Sequence, residues 1–243
     1  MKRIDGRNFD ALREIRVTRD FVPSAPGSVL IEWGRTRVIC TATVEDRVPP
    51  FLVNTGRGWL SAEYGMLPGS TDRRKPRDGR RGPIDGRTVE IQRLVGRNLR
   101  NLVRLDRIGP RTIWIDCDVV EADGGTRTAS INGAWIALAD CLEDLRERKL
   151  IKADALVGGV AAVSVGIIEG APYLDLCYEE DARAEADVNF VMTHDGRLVE
   201  IQGGAEGRPL EKAQFDACWD LAAGAVPRIA EIQHRTREGE RFA

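Results

Sequence analysis

The stretch Asp123-Gly124-Gly125-Thr126-Arg127-Thr128 combines the groups that hold an anion. Two glycines let the backbone turn tightly and come close to a ligand. A helix opening there presents free N–H groups and the positive end of its macrodipole. Thr126 and Thr128 add hydroxyls, and Arg127 adds a planar fork suited to phosphate oxygens. The same residues also describe an ordinary helix cap with an exposed arginine.

A second cation, Arg87, lies in Asp85-Gly86-Arg87-Thr88-Val89-Glu90. At about 100° per residue it falls toward the apolar side of its helix. It is therefore expected to point inward, and a buried charge needs a partner. Either a structural carboxylate or a bound phosphate would serve. The third candidate is acidic: in Glu179-Glu180-Asp181-Ala182-Arg183-Ala184-Glu185-Ala186-Asp187, a turn carrying Asp181 can fold back beside Asp187. Two oxygen donors with no His or Cys nearby suit Mg²⁺ or Mn²⁺ rather than zinc. The run also fits a solvated acidic edge.

Other chemistry is disfavoured. The two histidines, His194 and His234, sit in a turn and in a charged tail, with no G-x-S-x-G nucleophile setting. Neither a P-loop nor a dinucleotide-type G-x-G-x-x-G is found. The formal net charge is −2, so any nucleic-acid site must come from local segregation of charge. Thr71 to Arg100 provides it: Arg73, Arg74, Lys75, Arg77, Arg80, Arg81, Arg87, Arg93, Arg97 and Arg100 face only Asp72, Asp78, Asp85 and Glu90. Such a surplus could bind an RNA backbone or an acidic surface, or simply be solvated.

These residues must be positioned by alternating strands and a few helices. Strands are expected at Glu14 to Phe21, Ser28 to Trp33, Arg37 to Val44, Trp59 to Met66 and Arg111 to Glu121, with a hairpin turn at Gly34-Arg35-Thr36. Ser70 to Gly86 reads as a loop. Arg87 to Arg104 reads as a helix burying Ile91, Leu94, Val95, Leu99 and Leu102, with Arg93, Arg97, Arg100 and Arg104 opposite. Thr128 to Leu142 is a helix rich in small residues, able to lie close to its neighbours.

The second half repeats the plan. Strands are expected at Gly159 to Ile168, Pro172 to Tyr178, Ala184 to Met192 and Leu198 to Gln202, then a helix from about Pro209. Strands followed by helix, twice over, predict an α+β fold of two related halves sharing a core, about 1–147 and 156–243. The composition, 42% hydrophobic and 30% charged over 243 residues, is that of a globular protein. The scattered Cys40, Cys117, Cys141, Cys177 and Cys218 contain no C-x-x-C pair and are expected as buried free thiols in a reducing cytosol. No apolar run fits a signal peptide or a membrane span, so a soluble, cytoplasmic protein is expected.

Several motifs resemble the RNase PH family: Gly58 to Pro68 (GWLSAEYGMLP), Gly86 to Arg97 (GRTVEIQRLVGR), Asp116 to Ile131 (DCDVVEADGGTRTASI), Glu180 to Asn189 (EDARAEADVN) and Glu200 to Gly207 (EIQGGAEG). The similarity runs from Gly6-Arg7 to the C-terminal helix. It implies a duplicated βαβα-type domain and a phosphate-dependent 3′→5′ exoribonuclease that releases nucleoside diphosphates reversibly. Transfer-RNA precursors are the implied substrates. By this resemblance Arg87, Gly125, Thr126 and Arg127 bind the attacking inorganic phosphate. Similarity to polynucleotide phosphorylase and the exosome core implies that Asp181 and Asp187 hold a catalytic Mg²⁺ or Mn²⁺. It also implies a homohexameric ring, a trimer of dimers, with the arginine-rich loop in RNA binding and ring contacts; Arg73, Arg74, Arg77, Arg80, Arg93 and Arg97 are the RNA-contact candidates.

Departures from the family pattern are the Pro- and Gly-rich loop from Asp72 to Pro83, Asn132 in place of Thr, and Gly204 in place of Thr. Two rival readings stand beside this one: a non-catalytic ring subunit, and a hydrolytic nuclease on the same scaffold. Loss of the arginines or aspartates would mark the former, and all four are present.

Overall fold

In the computed structural model, which describes residues 3–77, 82–206 and 208–239, the alternating segments form two sheets. The first holds β1 (Ile15–Arg19), β2 (Gly27–Trp33), β3 (Thr36–Glu45), β4 (Trp59–Met66) and β5 (Thr112–Glu121) in the order β1-β2-β3-β5-β4. All its pairings are antiparallel except β4 with β5. A parallel pair needs a crossover, and α1 (Gly86–Arg100) supplies it, packing on β4. The second sheet, β7-β6-β8-β9, is antiparallel and comprises β6 (Val160–Ile168), β7 (Ala171–Leu174), β8 (Ala186–Thr193) and β9 (Leu198–Ala205).

Between the sheets runs α2 (Thr126–Glu147), touching β2 and β3 on one side and β6 on the other. Its small residues explain how it can be buried on every face. A Cβ on Gly133 would lie 2.8 Å from Cys40 Sγ and 2.9 Å from Ile31 Cγ2, too close for any side chain. The helix α4 (Lys212–Arg237) covers β6, β7 and β8, and the buried side chains of both halves form one continuous apolar core. The fold is α+β, as expected. Among the described residues no helix is long and apolar enough to cross a membrane.

Some boundaries differ from expectation. Helix α1 stops at Arg100, so Arg104 leaves the basic stripe and pairs with Asp106, while Val103 bridges to Leu156. Strand β7 ends at Leu174, because Asp175 turns into the left-handed region (φ 55°) to bury its carboxylate. Tyr178 then opens a one-turn helix, α3 (Tyr178–Asp181), rather than ending a strand. All five cysteines are free, but Cys177, just before α3, is only half-buried.

Candidate active site

The parallel strands β4 and β5 deliver their C-terminal ends beside the N-termini of α1 and α2, where a ligand is commonly met in such an arrangement. After β5 the chain turns through Gly124 (φ 75°) and Gly125 (φ 65°), both left-handed, before α2 begins. A Cβ at Gly124 would lie 2.7 Å from the Leu176 carbonyl oxygen, so glycine there lets this turn press against the chain entering α3. Tyr178 N–H donates to Asp123 Oδ1 at 3.2 Å, and Arg13 Nη1 donates to the Asp123 carbonyl at 2.5 Å. Thr36 Oγ1 accepts from Asp123 N–H at 2.9 Å and donates to the Gly124 carbonyl at 2.6 Å. The Asp123–Gly125 turn of the first half is thereby fixed to the acidic segment of the second.

That acidic segment is itself clamped. Glu180 accepts from Arg3 Nε at 2.8 Å and from Nη2 at 2.5 Å, and both side chains are buried. The next residue, Asp181, ends α3 and faces open solvent on one side. Asp187 lies at the start of β8, paired with Gly166 on β6 and Gly204 on β9. Neither neighbour carries a side chain across the sheet, and nothing lies within 4 Å of where a Gly204 Cβ would sit. The departure from Thr at this position therefore leaves room beside the carboxylate.

The electrostatics join these groups. Loss of solvation raises the Asp181 pKa and the Asp187 charge raises it further, while Arg87 and Arg127 pull it down and Glu206 adds to the rise. Two aspartates and two arginines drawn from α1, α2, α3 and β8 thus act on one region. Tyr64 forms its floor: its hydroxyl lies 2.9 Å from buried Thr126 Oγ1. Burial raises the Tyr64 pKa, against which that hydrogen bond and the charges of Arg87 and Arg127 act.

Arg87 does not turn inward as its spacing predicted. It is exposed in the first turn of α1, and among the described residues no carboxylate pairs with it. The wheel geometry holds for Ile91 and Leu94, and the buried face starts at Thr88, one position beyond Arg87. Arg127 is half-buried, with Nη1 donating to Gln202 Oε1 at 2.7 Å and lying 3.4 Å from Glu90 Oε1. Arg73, Arg74 and Arg77 are exposed in the loop after β4, as is Arg93 on α1; Arg80 falls outside the described residues. Arg97 is engaged by Glu200, and Arg100 donates to the Leu60 carbonyl at 3.0 Å with its guanidinium 4.9 Å from the Trp59 ring centroid.

The donor set can be tested against a divalent cation. Among the described residues no cluster of three or more His, Cys, Asp or Glu side chains comes together. Asp181 and Asp187 alone fit a hard cation that keeps water or phosphate oxygens in its remaining positions, as Mg²⁺ commonly does. Sequence reasoning assigned no role to Tyr64, Glu90 or Gln202. The alternation of β9, with Glu200 and Gln202 on one face, was the available signal.

Comparison with known proteins accords with this architecture. Residues 11–142 match domain 1 of the 3′ exoribonuclease family (RNase PH) and residues 158–225 match domain 2. Among solved structures, an Archaeoglobus fulgidus exosome with RNA bound to the active site is 22% identical, with a TM-score of 0.81, over 95% of this chain and 92% of that one. Rice (Oryza sativa) Rrp46 is 19% identical, with a TM-score of 0.78, over 97% and 100%. An archaeal exosome core is 20% identical, with a TM-score of 0.78, over 96% and 91%. At these identities the likeness is one of fold. With both family domains matched in order along most of its length, the chain belongs to the 3′ exoribonuclease family of RNase PH type.

Proposed function

We propose that the chain is a phosphorolytic 3′→5′ exoribonuclease, removing 3′-terminal nucleotides from RNA as nucleoside diphosphates, with inorganic phosphate as co-substrate. What supports the reading is that Asp181 feels the charges of Asp187, Arg87 and Arg127 together, with Arg127 in the first turn of α2 directly after Gly125 and Thr126. No nucleophilic side chain is needed. Arg127, the exposed Arg87 and the N–H groups opening α2 would bind phosphate and offset its repulsion from the scissile phosphodiester. The bound oxyanion would attack in line and expel the 3′-hydroxyl oxygen of the shortened RNA. Tyr64 holds Thr126 in place beneath the turn. Asp181 and Asp187 would hold Mg²⁺ or Mn²⁺, which when bound supplies charge for the leaving oxygen. The 3′-O–P ester bond is exchanged for the P–O–P anhydride of the nucleoside diphosphate without consuming water, so the step runs in reverse with nucleoside diphosphates.

The exposed Arg73, Arg74, Arg77 and Arg93 give a basic approach for the RNA backbone. Transfer-RNA precursors as substrates and a homohexameric trimer of dimers complete the proposal, supported by the family alone, and a cytoplasmic location is supported by the five free cysteines.

The test is a short 3′-tailed RNA incubated with the protein and Mg²⁺, with and without phosphate. Nucleoside diphosphates formed only with phosphate are expected. Monophosphates formed without phosphate, or no products at all, would overturn the reading. Arg127→Ala should fold normally and lose roughly 10- to 150-fold in phosphate use, the scale of one charge-assisted hydrogen bond.

A further inference from the structure

We infer that Gln202 and Glu90 are positioning residues for this reaction, holding the Arg127 guanidinium aimed at the phosphate site across the join between the two halves. The inference rests on the phosphorolytic reading above and extends it to side chains that touch neither substrate.

Three side chains form a closed set. Gln202 Nε2 donates to Glu90 Oε1 at 2.5 Å, Arg127 Nη1 donates to Gln202 Oε1 at 2.7 Å, and Arg127 Nη1 lies 3.4 Å from Glu90 Oε1. An ionised carboxylate can only accept, so Glu90 fixes which end of the Gln202 amide faces it. The amide nitrogen turns to Glu90, and the carbonyl oxygen is left for Arg127. A guanidinium offers five N–H groups in a rigid fork. Among the described residues these contacts fall on Nη1 alone, which leaves Nη2 and Nε for an oxyanion. An arginine ordered beforehand loses less freedom when phosphate binds than one that must be collected from solvent.

The second half of the chain must be docked for this set to form. Glu90 belongs to α1, Arg127 to α2 and Gln202 to β9. Strand β9 is held by a second contact on the same surfaces. Glu200 engages Arg97 and accepts from Asn98 Nδ2 at 3.0 Å. Glu90 and Arg97 are two helical turns apart on one face of α1, and Glu200 and Gln202 are alternate residues on one face of β9. The Arg97–Glu200 contact thus carries Gln202 to Arg127. A glutamate at 202 would not substitute, because it would set a second carboxylate against Glu90 and neutralise Arg127.

Steady-state kinetics of the full chain with Mg²⁺ and a 3′-tailed RNA test this, using wild type, Gln202→Leu and Gln202→Glu. Gln202→Leu should raise the phosphate KM about tenfold, the cost of one hydrogen bond to a charged group. Its kcat, RNA KM and thermal midpoint should stay close to wild type. Gln202→Glu should raise the phosphate KM at least as much, and it keeps the side-chain length should the leucine variant fail to fold. An unchanged phosphate KM in a folded variant would overturn the inference while wild-type phosphorolysis stands. So would a general fall in kcat, RNA affinity and stability with no selective effect on phosphate. A wild type indifferent to phosphate would instead sink the functional reading itself.

Discussion

Asp175 and Asp181 lie six positions apart in sequence, yet their surroundings are opposite. Asp175 is fully buried. It accepts from Arg13 Nη2 at 2.7 Å, from the Arg13 backbone N–H at 2.6 Å and from Trp33 Nε1 at 2.9 Å. Burial pushes its pKa up, but the Arg13 charge and these hydrogen bonds together hold it below the ordinary carboxylate range. Asp181 has Asp187 as its electrostatic neighbour and arginines that reach it without pairing, and its pKa moves up. Asp175 is matched within the fold by Arg13, whereas Asp181 has no ion-pair partner among the described residues and lies near a like charge. Glu180 sits at the border: clamped by Arg3, it anchors the turn whose next residue belongs to the site.

The sharpest way to break this contrast is to remove one arginine from each region. Arg13→Leu would strip Asp175 of its main partner and leave a buried charge. Breaking such a pair costs about 3–5 kcal/mol. The same change releases the Asp123 carbonyl, so the turn that opens α2 would loosen too. Arg87→Ala, at an exposed position, should change stability by no more than about 0.5 kcal/mol while impairing phosphate use. Urea unfolding of both variants checks the pair, and equal losses of stability would erase the distinction.

How much of this was legible follows from range. The alternation of Ile113, Ile115, Cys117 and Val119 placed β5, and Ile91, Leu94, Val95 and Leu99 placed the buried face of α1, because both signals are local. The turn Asp123 to Thr128 stands out as a candidate anion site, since glycines, hydroxyls and arginine stand together there. Arg13 with Asp175 was not legible: the partners are 162 residues apart, and neither stands out in its own segment. The direction of Arg87 differs from its spacing because helical periodicity sets an angle but not where the covered face begins, and here that face begins at Thr88. Gln202 stands in the sequence as one polar residue of a motif. Its meaning depends on Glu90 and Arg127, which lie 112 and 75 residues away.

Acid should reveal the two regions in sequence. The folded pKa values of Asp175 and Glu180 are depressed, Glu180 by the hydrogen bonds and charge of Arg3 acting against burial. Their stabilisation is therefore complete above the unfolded carboxylate values of about 4 and is lost as pH falls through the folded ones. The urea midpoint should drop as pH is lowered from about 5 toward 3. Glu180→Gln should lower the midpoint at neutral pH and flatten that drop. A midpoint in this variant that still falls as steeply as wild type would deny Glu180 its part.

Asp181 should behave with the opposite sign, and more weakly. Its raised folded pKa means that ionisation costs the folded state, so stability falls as pH rises through that value. Asp181→Asn removes the cost, and in chelator at neutral pH its melting temperature should exceed wild type by roughly 1–2 °C, small for a chain of this size. The carboxyl is open to solvent on one side, and screening there keeps the gain modest. The gain should vanish at a pH where Asp181 is already protonated. Adding Mg²⁺ should raise the wild-type midpoint and leave the variant nearly unmoved, reversing their order, because the cation binds the folded state through the carboxylate that the variant lacks. An Asp181→Asn protein that melts below wild type in chelator would mean that Asp181 is a stabilising charge like Asp175, and the division between matched and waiting charges would fail at its nearest point.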